Sequence, residues 1–212
     1  MIRIAPSILA ADVLNLERDA RKMMDAGADW LHVDVMDAHF VPNLAYSPAV
    51  VRRLKEISTV PLDVHLMMDH PERFLDPFLD AGADILTIHA EVAGDLGAML
   101  GKIHRRGARA GLAVRPGTGI SAVIPFLNQA DLILTMTVEP GFGGQKLNEG
   151  VLGKISDLRR IGYTGEIEAD GGIKESNLEM LTEKGLSVAV MGTALYRAED
   201  PKEMMRRLHE MG

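Results

Sequence analysis

Short apolar runs alternate with amphipathic segments eight times along this chain, at a spacing of roughly 26 residues. The runs cover 2–7, 30–36, 62–67, 85–89, 110–114, 132–136, 166–169 and 188–191, lengths that suit strands buried on both faces. Between them, 14–26, 49–57, 73–81, 96–106, 120–127, 151–160, 177–184 and 201–211 carry apolar residues at helical spacing. Gly27, Gly82, Gly107, Gly162 and Gly185 fall where helices commonly end on glycine. Ala26-Gly27-Ala28-Asp29 recurs as Ala81-Gly82-Ala83-Asp84, a weak internal repeat. Strand then helix, eight times, with no edge-strand signal, predicts an α/β protein: a single-domain (β/α)₈ TIM barrel over residues 1–212. An open doubly wound sheet is the competing arrangement, but no G-x-G-x-x-G turn follows the first strand.

Composition narrows the function classes. With 47% apolar residues in 212, the chain can bury one sizeable core, and no stretch reads as a linker. Aromatics are only 4%, and the 13 methionines take up part of the volume they would fill. A net charge of −7 without a dense Lys/Arg run argues against a nucleic-acid surface. No cysteine is present, which excludes disulfides, thiolate metal sites and a thiol nucleophile, and fits a reducing cytoplasm. Pro6 and Asp12 make the apolar N-terminus a poor export signal, and no 18-residue apolar run would span a membrane. A soluble cytoplasmic protein is expected.

The C-terminal ends of barrel strands share one mouth, where catalytic groups gather. Here those ends offer Ser7; His32, Asp34 and Met36; His65 and Met67; His89; Arg115; Met136; Asp170; and Gly192 with Thr193. His32, Asp34 and Met36 share one face of their strand by the two-residue period, and Asp63-Val64-His65-Leu66-Met67 repeats the His-x-Met ending. His32, Asp34, His65 and Asp170 would make a two-His, two-carboxylate site for Zn²⁺, Fe²⁺, Mn²⁺ or Co²⁺. A hydrogen-bonded polar network at the mouth is the bland alternative. Gly141, Gly143 and Gly144 follow the sixth strand, Gly171 and Gly172 the seventh, and Gly192 the eighth. Glycine turns let backbone N–H groups approach an anion, and late loops of such barrels frequently hold phosphate. A phosphate grip, a cation and two facing carboxylates suit proton transfer on a phosphorylated keto-sugar. Asp34 and Asp170 would serve as the acid/base pair. Met36, Met67 and Met136 could cover the intermediate, although from the residues alone ordinary core filling is the better explanation of them.

Four motifs carry a family resemblance. Ile4-Ala5-Pro6-Ser7-Ile8-Leu9, the run from His32 to Asn43, Leu62-Asp63-Val64-His65-Leu66-Met67 and the run from Val138 to Gln145 strongly resemble ribulose-phosphate 3-epimerase, from the first strand to the last. The resemblance implies a metal-dependent (β/α)₈ barrel that interconverts D-ribulose 5-phosphate and D-xylulose 5-phosphate. It implies one divalent cation per subunit on His32, Asp34, His65 and Asp170, with Asp34 and Asp170 as the two bases. It also implies that Ser7 contacts the sugar, that the three methionines cap the enediolate, and that Gly143, Gly144, Gly172, Gly192 and Thr193 hold the phosphate. Members are commonly dimers or hexamers.

Some positions depart from the family's commonest pattern. Ala38 stands where Gly is usual, Arg115 where Asn or Lys often precedes Pro-Gly-Thr, and Ala169, Met191 and Thr193 replace Val, Ala and Ser. No ligand or base is lost. The alternative inside the same chemistry is a sister epimerase on a ketohexose 6-phosphate such as D-allulose 6-phosphate. A Schiff-base aldolase is disfavoured because no lysine ends a strand; Lys146 lies in a glycine loop and Lys174 follows Asp170-Gly171-Gly172. A barrel that only binds sugar phosphates would have no use for opposed carboxylates.

Overall fold

The alternation read from the sequence closes on itself. A computed structural model describes Met1–Gly212, with barrel strands β1 (Arg3–Pro6), β2 (Leu31–Asp37), β3 (Leu62–Met67), β4 (Ile85–His89), β5 (Arg109–Val114), β6 (Leu132–Met136), β7 (Glu166–Asp170) and β8 (Val188–Met191). Consecutive strands from β2 to β8 pair in parallel, and β1 pairs with β8 through Arg3↔Val188 to Pro6↔Met191. The ring is completed between β1 and β2 by the parallel bridge Ser7↔His32. Below that bridge the Asp29 N–H donates to the Ile4 carbonyl at 3.0 Å, and the Asp29 carboxylate accepts the Ile4 N–H at 2.8 Å. A two-residue ribbon, Leu44–Ala45, runs antiparallel to the end of β2.

The helices are α1 (Leu16–Asp25), α2 (Pro48–Ile57), α3 (Leu75–Asp80), α4 (Leu96–Arg105), α5 (Gly153–Arg160), α6 (Glu175–Glu183), α7 (Thr193–Tyr196) and α8 (Pro201–Glu210). Predicted boundaries hold to within a few residues, and the five helix-ending glycines all have positive φ. One expected helix is absent. Residues 120–127 form two 3₁₀ turns, Ile120–Ala122 and Ile124–Phe126, because Pro125 has no N–H to offer an α-helical ladder.

Outward-facing strand residues such as Leu31, Val33, Leu86 and Ile133 pack with the helices in a continuous apolar layer. Each such fully buried side chain contributes about 1.5–3 kcal/mol of hydrophobic stabilisation. Inside the ring, apolar side chains including Trp30, Ile85 and Leu132 form a separate cluster. Trp30 lies between the guanidinium groups of Arg3 and Arg109, at 5.7 and 5.3 Å, and Arg3 is paired with Glu166 at 2.7 Å. Trp30 is buried at that end, and the inward polar residues further along β2, β3 and β7 lie toward the opposite mouth. No helix is long and apolar enough to cross a membrane.

Two backbone features generate predictions. A methyl at Gly111 would sit 2.0 Å from Thr87 Oγ1, so β5 leaves room for the β4 threonine inside the ring. We expect Gly111→Ala to destabilise the protein by about 1–3 kcal/mol, with part of the loss recovered in Gly111→Ala/Thr87→Ala, where only the Cβ contact remains; equilibrium urea unfolding measures both. Ala38 has φ of 63°, a left-handed conformation that costs a residue with a Cβ about 1–2 kcal/mol. After subtracting the chain entropy that glycine adds when unfolded, Ala38→Gly should gain about 0.5–1 kcal/mol in the same assay.

Candidate active site at the C-terminal mouth

Strand parity places the chemistry. Along β2 the inward positions are His32, Asp34 and Met36; along β3 they are Asp63, His65 and Met67, and along β7 Glu168 and Asp170 follow Glu166. The β2/β3 register sets His32 beside Asp63 and Asp34 beside His65. The ligand-capable atoms of His32, Asp34, His65 and Asp170 lie within 4.8 Å of one another. All four residues named from the sequence therefore converge.

Asp34 Oδ1 is the meeting point, 3.3 Å from His32 Nε2 and 3.3 Å from His65 Nδ1. Its other oxygen accepts the Ser7 hydroxyl at 2.6 Å. Each imidazole is held from behind as well. His32 Nδ1 lies 2.5 Å from Asp63 Oδ2, and His65 Nε2 lies 2.8 Å from His89 Nε2. Burial would lower the His32 imidazole, but the Asp34 and Asp63 carboxylates on either side outweigh it and raise its pKa well above the usual value, so a proton or a cation belongs between its Nε2 and the Asp34 oxygen. A lone pair aimed at a carboxylate is repulsive unless a proton or cation lies between them. Two imidazole nitrogens, deprotonated on cation binding, and two carboxylate oxygens at this spacing are a chemically suitable set for a divalent cation of the Zn²⁺ or Fe²⁺ type.

The two candidate bases are tuned in opposite directions. Burial alone would raise the Asp34 carboxyl, but the His32 and His65 imidazoles outweigh it and hold Asp34 well below the usual range. Burial pushes Asp170 up to about 7, and the Asp34 charge adds to the effect. One carboxylate stays ionised while its counterpart can carry a proton near neutrality.

A cavity of about 400 Å³ opens above the cluster. Asp34 and Asp170 form part of its wall, with Ser7, Met36, Met67 and Met136, and with Gly143, Gly144, Gly171, Gly172, Gly192 and Thr193. His32 and His65 are fully buried beneath it. Gly141 is the exception among the expected glycines. Its carbonyl accepts the Asn43 side-chain amide at 2.8 Å and it packs on Val41, so it braces the loop after β2 instead of lining the cavity. Gly172 has a second reason to be glycine: a Cβ there would lie 2.3 Å from the Leu147 backbone nitrogen, where the β6 and β7 loops touch.

Several functional candidates escape a reading of the sequence. Asp63 and Glu168 are fully buried one pleat below His65 and Asp170, and parity alone marks them as inward. Glu168 Oε1 lies 3.6 Å from His32 Nδ1, and neither of its oxygens has a hydrogen-bond partner. Burial, then the neighbouring Asp63, pushes its carboxyl well above the usual range. Lys174 and Arg197 add two cationic side chains to the cavity wall beside the glycine turns. Ser7, expected as a sugar contact, also donates its hydroxyl to Asp34.

A sequence model described as the ribulose-phosphate 3 epimerase family matches residues 3–196. The ribulose-phosphate 3-epimerase of Mycobacterium tuberculosis is 44% identical over 202 residues, 93% of this chain and 87% of that one. The Bacillus subtilis enzyme of the same name is 39% identical over 213 residues, covering 98% of each chain. Among solved structures, KGPDC from Streptococcus mutans aligns with a TM-score of 0.74 at 11% identity, over 100% of this chain and 97% of that one. N-acetylmannosamine-6-phosphate 2-epimerase from Clostridium perfringens aligns at 0.69 with 14% identity, over 99% and 93%. Those structural likenesses establish the barrel, while the match across residues 3–196 and the closely similar relatives establish more: this chain belongs to the ribulose-phosphate 3-epimerase family.

Proposed function

We propose that the chain interconverts D-ribulose 5-phosphate and D-xylulose 5-phosphate by a two-base epimerisation at C3, with Asp34 and Asp170 as the bases. The observation that carries this reading is the placement of two carboxylates in one cavity wall, joined to two buried imidazoles. The C3 proton, next to a ketone, is a very weak acid, so removing it needs both a positioned base and stabilisation of the enediolate. One aspartate takes the proton from its face of the sugar while the other delivers a proton to the opposite face. The carbon is thereby inverted, and the roles exchange in the reverse reaction. His32, Asp34, His65 and Asp170 would hold a divalent cation, which when bound supplies Lewis-acid stabilisation of negative charge on the substrate oxygens.

The remaining wall residues fit the rest of the substrate. Met36 and Met67, clustered with Val41, and Met136 keep water away from the reacting carbon. Ser7 holds Asp34 and faces the sugar. Gly143, Gly144, Gly172, Gly192 and Thr193 receive the phosphate, with Lys174 and Arg197 contributing charge at the same wall. We also propose a cytoplasmic homo-oligomer, a dimer or hexamer. The absence of cysteine supports the location, and the exposed side chains of Val13, Leu14 and Leu44 support the association.

Two outcomes test the reading. Asp170→Asn should lower epimerisation by about 10³-fold or more while leaving the circular dichroism unchanged; activity within tenfold of the parent overturns the two-base assignment. Chelation followed by dialysis should abolish both epimerisation and solvent-deuterium uptake at C3, and adding back a divalent cation should restore them. Full activity in protein shown by elemental analysis to be metal-free overturns the cation's role.

A further inference from the structure

The loop between β2 and α2 closes one side of the mouth, and its own backbone does little to hold it there. Val41, only 2% exposed, packs on Met36 and Met67 of the cavity wall, with Phe40 and Leu9 against the same cluster. At the near end the Asp37 carboxylate accepts the His39 and Phe40 N–H groups at 2.8 Å each. At the far end the Asn43 side-chain amide donates to the Gly141 carbonyl at 2.8 Å. Between these pins no backbone N–H reaches the Phe40 carbonyl. Arg115 meets it instead: its Nη2 donates to that carbonyl at 2.6 Å, while its guanidinium lies 3.9 Å from the Phe40 ring centre. The same ring stands 4.6 Å from that of His89. One side chain thus fixes both the main chain and the ring of Phe40, through a charge-assisted hydrogen bond and a cation–π contact. A planar guanidinium can make both at once, which a lysine ammonium does less well.

Arg115 is itself anchored at the end of β5. Its N–H donates to Glu91 Oε1 at 2.7 Å, and its carbonyl accepts the Lys154 ammonium of α5 at 2.7 Å. The same ammonium reaches the Pro116 carbonyl at 2.8 Å, so segments after β4, β5 and β6 converge on this one turn. We propose that Arg115 is a positioning residue for the epimerisation: it clamps Phe40, and so holds Val41 over Met36 and Met67 and keeps the apolar cover shut. This rests on the reading of the reaction and of the methionine cover given above. Arg115 lies outside the cavity wall, so it acts through the loop and not on the substrate. The glycine turns assigned to the phosphate belong to other loops, after β6, β7 and β8. Releasing the clamp therefore admits water to the reacting carbon and slows turnover, while the phosphate grip stays in place.

Arg115→Met tests this, because it keeps the apolar stem and removes the guanidinium. The loop is read by amide hydrogen exchange at Ala38 and Asn43, whose N–H groups bond within it to the Asn43 and Val41 carbonyls. In the variant we expect exchange there to quicken by about tenfold, and kcat on D-ribulose 5-phosphate to fall by about tenfold with KM within about twofold. Arg115→Lys, which keeps the cation without the planar fork, should recover part of both changes. Exchange at parent rates in Arg115→Met overturns the clamp. Faster exchange with parent kcat, or a lower melting temperature alone, leaves Arg115 a structural brace and overturns the positioning role. Exchange needs no substrate: if the parent does not epimerise D-ribulose 5-phosphate, the reading of the reaction fails, and the loop rates alone uphold or overturn the clamp.

Discussion

Asp34 is a buried, ionised carboxylate, only 3% exposed, and the interior of the barrel is arranged to keep it so. An unpaired charge in such a place would cost several kcal/mol. Its compensation comes in successive layers: two imidazoles and a hydroxyl touch it, and each imidazole is held by a further group, Asp63 behind His32 and His89 behind His65. The apolar shell between strands and helices holds those layers still. Apart from Ser7, just past the end of β1, strand positions carry the network, and rigid elements keep small distances fixed better than loops do.

Much of this is legible in the sequence. The eightfold alternation specifies the barrel, and the two-residue strand period puts His32 with Asp34 and singles out His65 and Asp170 at strand ends. What stays hidden has physical reasons. Asp63 and Glu168 obey the same parity, but acidic residues are rarely buried without partners, so composition gives no reason to place them inside. The segment 120–127 has helical periodicity, and Pro125 overrides it by removing one donor. Gly141 shares its motif with Gly143 and Gly144, and only the three-dimensional path shows that it faces Val41 and Asn43. Ala38 stands out as unusual in the sequence, whereas its left-handed backbone, the reason glycine suits that turn, is a property of the folded loop.

The structural neighbours mark the boundary between scaffold and chemistry. Proteins only 11% and 14% identical share the barrel closely, yet neither carries the name of this family. A barrel holds its strand ends in a ring whatever those ends carry, so activity follows from the side chains placed there. On the proposed mechanism the discriminating set is small: two histidines, two aspartates and the groups that orient them.

The seam between β1 and β2 bears on how the molecule comes into being. There His209 of α8 lies 2.8 Å from Asp29, a residue 180 positions earlier in the chain, and β1 finds its other neighbour in β8. Contacts of such high sequence separation form late, because a long loop must be closed before they offset its entropy. During synthesis, an emerging polypeptide would carry Ser7, His32 and Asp34 for most of its length with β1 unpaired on one side. The ring can shut only after the last strand and its helix have left the ribosome, so assembly of the catalytic mouth is among the final events in the protein's birth.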